Sequence, residues 1–101
     1  MKKFRIDPKG FFKVLGGTAQ SQAAEMTLSP GGSTGGPTNK HIDSDQWLFV
    51  ISGKGEATIE GRQIDIQEGE LVLIEANEAH EIRNTGRRDL KTFNIYSPPE
   101  Y

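Results

Sequence analysis

His41 and His80 are the only histidines of the chain, and each stands in a segment whose spacing brings further polar groups with it. Histidine is the commonest metal ligand and the usual acid–base group near neutral pH. His41 sits in Asn39-Lys40-His41-Ile42-Asp43-Ser44-Asp45-Gln46, ahead of the apolar run Trp47-Leu48-Phe49-Val50-Ile51 and Gly53. His80 ends Gly69-Glu70-Leu71-Val72-Leu73-Ile74-Glu75-Ala76-Asn77-Glu78-Ala79-His80, with Asn84 four residues on. Cysteine is absent, which excludes thiolate metal sites and disulfides. No G-x-S-x-G elbow and no supported Ser-His-Asp order offers a nucleophile. The chemistry within reach is metal ligation or hydrogen bonding by imidazole and amide. The plain alternative for each histidine is a hydrogen-bonding role at a strand end.

Elements must bring these groups together. Asn39 and His41 are two apart, so an extended chain projects them to one face. His41 and Gln46 are separated by an odd number of residues, so they converge only if the chain breaks between them. Asp43-Ser44-Asp45 supplies that turn, with both aspartates in solvent. Gln46 then shares a face with Leu48 and Val50, and Trp47 and Phe49 take the opposite face, for sheet packing or a dimer interface. His80, Ile82 and Asn84 share a face of another strand, and Asn84 completes a turn near its end.

The remaining chain reads as short strands between turns. Strands are predicted over 11–15 (ended by Gly16-Gly17), 46–52, 56–60, 63–66, 71–74, 80–84 and 90–96. Residues 18–28 are predicted to be extended, with Gln20, Gln22, Ala24, Met26 and Leu28 on one face. Gly53-Lys54-Gly55 reads as a turn, Thr85-Gly86-Arg87-Arg88 as a hairpin-like loop, and Pro98-Pro99 as the stop of the last strand. No helix is expected. Many short strands with regular turns indicate a sandwich or barrel. The stretch from Ser29 to Pro37 is rich in Gly, Ser and Pro; it lacks the Gly-Lys-Ser/Thr of a phosphate loop and reads as a connection or pocket rim. Tyr96 and Tyr101 are assigned to packing or an interface.

Composition narrows the function classes. A chain of 101 residues with 34% hydrophobic residues and 12 glycines suits one small β domain. The organisation expected is an N-terminal arm and first strand over 1–17, a barrel over 18–97 and a tail over 98–101. Net charge of -2, from 12 basic and 14 acidic residues, gives no electrostatic case for nucleic acid or an anionic membrane. The apolar runs fall short of a membrane span and of a signal sequence, so a cytoplasmic protein is expected.

The spacing resembles the cupin family, whose motifs are G-x5-H-x-H-x3-4-E-x6-G and G-x5-P-x-G-x2-H-x3-N. Gly69, Glu75 in the proline place, Asn77 in the glycine place, His80 and Asn84 fit the second. In the first, Gly53 places Gln46 where the family has Glu, His41 is the second histidine, and Asn39 stands for the first. The resemblance covers roughly Met26 to Tyr96. It implies an all-β double-stranded β-helix, or jelly-roll barrel, with the polar residues facing a small-molecule pocket.

It also implies a divalent metal ion (Fe, Ni, Mn, Cu or Zn) at His41, Gln46 and His80, with Asn39 as a weaker fourth ligand. The substitutions count against tight binding. Gln46 removes the one anionic ligand, and an amide is a weaker donor than imidazole. Two functions follow as expectations. One is a metal-binding cupin, possible as a dioxygenase or isomerase of a small polar metabolite. The alternative is a sensor or binding module without catalysis, metal-free or loaded. The family implies a homodimer in either case.

Overall fold

The computed structural model describes residues 1–36 and 40–101. Eight strands account for the regular structure: β1 (Phe12–Gly17), β2 (Gln22–Leu28), β3 (Asp45–Ser52), β4 (Lys54–Ile59), β5 (Arg62–Gln67), β6 (Leu71–Ile74), β7 (His80–Asn84) and β8 (Leu90–Ser97). They form two antiparallel sheets, a five-stranded one in the order β1-β2-β8-β3-β6 and a three-stranded one in the order β5-β4-β7. Alternation within the strands decides which side chains meet between the sheets. Leu48 and Val50 point inward while Trp47 and Phe49 point out. Met26, Leu28, Ala57, Ile66, Ile74, Ile82 and Leu90 complete the core.

The N-terminal part differs from the sequence reading. The first strand runs on through Gly16-Gly17, with a bulge between Val14 and Gly16. Gly17 lies so close to the neighbouring chain that a Cβ there would stand 2.7 Å from the Ser21 carbonyl oxygen. The extended segment begins at Gln22 rather than Thr18. Residues 18–21 instead close a turn, in which the Thr18 amide donates to the Ser21 carbonyl and the Gln20 amide to Thr18 Oγ1. Gln20 is therefore exposed, while Gln22, Ala24, Met26 and Leu28 share the buried face.

Two further turns were misplaced. Gly55 is a buried strand residue paired with Ile66 and Asn84. Any side chain there would run into the Arg83 carbonyl, so the glycine permits close strand approach rather than a turn. Residues 85–88 do not close a hairpin. They carry the chain from β7 in the smaller sheet to β8 in the larger one. Asn84, almost wholly buried, ties this crossover down: its Nδ2 donates to the Leu28 and Arg88 carbonyls, and its Oδ1 accepts from the Gly86 amide.

The described part of the Ser29–Pro37 segment lines up along β7. Thr34 exchanges hydrogen bonds with Ile82, and Gly31 and Gly32 with Asn84. The described part of this segment forms a rim of the barrel along β7.

Candidate functional site

Two local devices bring the histidines together. Glu75 to Glu78 form a turn in which the Glu78 carboxylate accepts from the Glu75 amide at 2.7 Å. Asn77 at its corner has φ of 69°, the left-handed conformation that Asn tolerates better than most residues. Its amide donates to the His41 carbonyl at 2.6 Å, which pins the His41 loop beside the start of β7. Asp45 does not stand free in solvent as the sequence reading had it. Its Oδ1 accepts from the Ala76 amide at 2.8 Å, locking the same turn to β3.

His41 and His80 consequently lie with ring centroids 5.0 Å apart, and both are buried. With Gln46 they line a cavity of about 170 Å³, whose other walls include Phe12, Met26, Ile82, Tyr96 and Tyr101. Thr34 contributes the rim. Three of the four sequence-predicted site residues thus share one pocket. Asn39, the fourth, lies outside the described residues.

The hydrogen bonds fix what each polar group can still do. His80 Nδ1 lies 3.1 Å from the Glu78 carbonyl oxygen; since a carbonyl only accepts, Nδ1 carries the proton and Nε2 keeps its lone pair in the neutral ring. Burial lowers the His80 pKa below the ordinary 6.5, the Glu78 carbonyl raises it and His41 lowers it further. The net direction favours the neutral form. His41 Nδ1 lies 3.0 Å from Glu100 Oε1, so it too donates from Nδ1 and leaves Nε2 without a partner. Gln46 Nε2 donates to Asn94 Oδ1 at 3.0 Å, and Asn94 in turn donates to Thr92 Oγ1. Gln46 Oε1 is left buried with no hydrogen-bond partner. A buried acceptor left unmet costs roughly 1–3 kcal/mol, so this one calls for a guest.

A metal ion can be tested against this donor set. An imidazole whose Nδ1 proton is held by an oxygen acceptor is the arrangement in which Nε2 serves a metal, and both rings have Nδ1 held in this way. An orphaned amide oxygen adds a third donor. Imidazole suits Zn, Cu, Ni and Fe, so the residue types fit such an ion. The charge does not come with them. Among the described residues no group of three or more His, Cys, Asp and Glu gathers to hold a metal. Glu100 meets His41 at Nδ1 and is not among the residues that line the cavity.

The cupin domain model matches residues 24–96. The chain belongs to the cupin family. Its fold is the all-β double-stranded β-helix that the motif spacing implies. The oxalate-binding protein of Thermotoga maritima is 32% identical over 68 residues, covering 67% of this chain and 54% of that protein. The chain spans about half the length of such curated cupin relatives. Among solved structures, the Bacillus halodurans protein BH2720 superposes with a TM-score of 0.85 at 31% identity, over 91% of this cupin and 73% of that chain. A predicted oxalate decarboxylase from T. maritima gives a TM-score of 0.71 at 28% identity, over 77% and 66%.

Sequence reasoning missed half of the pocket. Tyr96 was assigned to packing or an interface, yet it lines the cavity with its ring 5.3 Å from His41. The period-two pattern of Thr92, Asn94 and Tyr96 in β8, all buried, is a signal from which this was derivable. Ser44, Glu100 and Tyr101 carry no local signal, because they meet the site only through the path of the chain after β8; Gln22 has one, the period-two face it shares with Met26 and Leu28.

Proposed function

We propose that this cupin binds a compact, polar small molecule in the His41–Gln46–His80 cavity, with a divalent metal ion as the link between protein and ligand. One observation carries the reading. The Nε2 atoms of His41 and His80, without a hydrogen bond among the described residues, and the unpartnered Gln46 Oε1 belong to side chains that line one cavity. A metal ion, held there by these three atoms, would supply Lewis-acid polarisation of a ligand oxygen. The residues themselves orient the ligand: the aromatic and aliphatic walls exclude water, and Asn94 holds Gln46 in its rotamer.

The relatives name oxalate as a candidate ligand, and the cavity makes a condition on it. None of the lining residues is Lys, Arg, Asp or Glu. A dicarboxylate partly withdrawn from water in a cavity with no cationic side chain in its lining would leave its charge uncompensated, at a cost. Binding of oxalate or a similar small acid therefore requires the cation. A dioxygenase or isomerase activity would draw on the same ion. The second reading is a metal-free module for a ligand that donates hydrogen bonds to the three acceptors; the amide at position 46, where a carboxylate would have neutralised an ion, favours it. In both readings the exposed Trp47, Phe49, Leu71 and Leu73 on the outer face of the large sheet pair with a second copy of the chain.

Calorimetry on tag-free protein tests these readings. Zn²⁺, Ni²⁺, Cu²⁺, Fe²⁺ and Mn²⁺ are titrated into the parent and into His80→Ala, then oxalate with and without the ion. Binding of one ion per chain, weakened at least about tenfold in the variant (about 1.4 kcal/mol), with oxalate bound only to the loaded protein, is the expected result. A parent that takes up none of these ions refutes the metal-linked reading.

A further inference from the structure

The mouth of the cavity is covered by the chain's own residues after β8. Tyr101 stands over it, with its ring centroid 4.7 Å from Phe12, 5.2 Å from Tyr96 and 5.9 Å from His41, and it lines the cavity. The segment that carries it is also held by polar contacts to buried side chains. Gln22 Oε1 accepts from the amides of Glu100 and Tyr101 at 3.2 and 2.9 Å, and Gln22 Nε2 donates to the Tyr101 carbonyl at 2.6 Å. Ser44 Oγ lies 2.7 Å from the Pro98 carbonyl and 3.1 Å from Glu100 Oε2. It has one hydrogen for two acceptors. Glu100 Oε1 meets His41 Nδ1 at 3.0 Å.

The two sides of this contact differ in kind. Gln22, Ser44 and His41 are 8%, 1% and 8% exposed, whereas Tyr101 is 61% exposed. Pro98 and Glu100 are exposed as well. Beyond half-buried Pro99 and the packing of the Tyr101 ring, little apolar burial holds the segment down, and such a stretch opens at far lower cost than a core strand. The buried anchors, by contrast, lose their partners whenever it lifts, which favours return.

We propose that Pro98–Tyr101 is a strap that opens and closes the cupin pocket, and that Tyr101 sets the size of ligand that the closed pocket accepts. Gln22 is the latch: one side chain makes three of the bonds that hold the strap. Closed, the cavity of about 170 Å³ takes a molecule of a few heavy atoms; larger ones require the strap to be displaced. The purpose assigned to the strap rests on the small-molecule reading of the pocket, but its movement can be measured without a ligand.

Diethyl pyrocarbonate is the probe, since it acylates neutral imidazole nitrogen and the chain has two histidines that mass spectrometry separates. The rate of His80 modification is followed in the parent, Tyr101→Phe, Tyr101→Ala and Gln22→Ala, with circular dichroism and thermal melting reporting an intact barrel. His80 modification is expected to be slow and equal in the parent and Tyr101→Phe, and about tenfold faster in both alanine variants. Equal rates in all four proteins, whether slow or fast, overturn the strap. Acceleration in Tyr101→Ala alone overturns the latch and leaves a fixed wall. Should Tyr101→Ala fail to fold, Gln22→Ala against the parent decides alone. Failure of every ion and of oxalate to bind would defeat the metal-linked reading of the pocket while leaving these rates as they stand.

Discussion

Replacing Gln46 by Glu separates the two states of the pocket. The side chain is 5% exposed, and its Nε2 donates to Asn94 Oδ1. A neutral carboxylic acid at this position reproduces that donor with its O–H, so Gln46→Glu in metal-free protein should approach parental stability near pH 4 and lie about 1 kcal/mol below it at pH 5. Ionisation removes the donor, faces Asn94 Oδ1 with a like partial charge and buries a carboxylate. Burial of this kind raises a carboxyl pKa by on the order of two units, equivalent to about 2.7 kcal/mol. The sign follows from linkage: with the folded pKa above the unfolded one, stability is full below about pH 4.3 and is lost as pH rises through the folded value. The gap between pH 5 and pH 8 should be roughly 1.7 kcal/mol, or about 7–14 °C in Tm for a domain of this size. A divalent ion reverses the penalty, because the introduced carboxylate then supplies the missing anionic ligand. Urea unfolding at both pH values, with and without one equivalent of Zn²⁺, measures both effects. The expected result is a pH-dependent loss that Zn²⁺ repairs, with at least tenfold tighter metal binding than the parent. Equal stability at pH 5 and 8 would show that position 46 is not enclosed, and an unchanged Zn²⁺ affinity would show that its oxygen does not face the ion.

His80 should titrate below 6.5 in two-dimensional NMR of the imidazole resonances, because burial disfavours its charged form. Its contribution to stability is therefore full above about pH 6.5 and declines as pH falls through the folded value; His80→Gln should flatten that part of the unfolding profile, and an unflattened profile would place the effect elsewhere. On the outer face of the large sheet, Trp47 lies opposite Leu73, and Phe49 opposite Leu71. Trp47→Glu should convert a dimer to a monomer in sedimentation velocity with the barrel still folded, and a parent that already sediments as a monomer refutes the pairing.

The sequence by itself determined the strands and much of the pocket, for a local reason. Period-two alternation places Leu48 and Val50 inside and Trp47 and Phe49 outside wherever the backbone is extended, so β3 was legible from its own residues. The same holds for His80, Ile82 and Asn84 on β7. The corner at Asn77 was readable because few residues other than Gly and Asn accept its φ of 69°. Other features depend on what lies beside the chain rather than along it. Gly55 resembles a turn glycine until the Arg83 backbone is seen against it. Residues 85–88 resemble a hairpin until β7 and β8 are found in different sheets. The strap is the clearest case. Gln22 and Tyr101 are separated by 79 positions, and nothing in Ser97-Pro98-Pro99-Glu100-Tyr101 signals a lid. Only the tertiary structure brings a buried carboxamide, a serine and a histidine to one rim, where the returning chain satisfies them and closes the pocket.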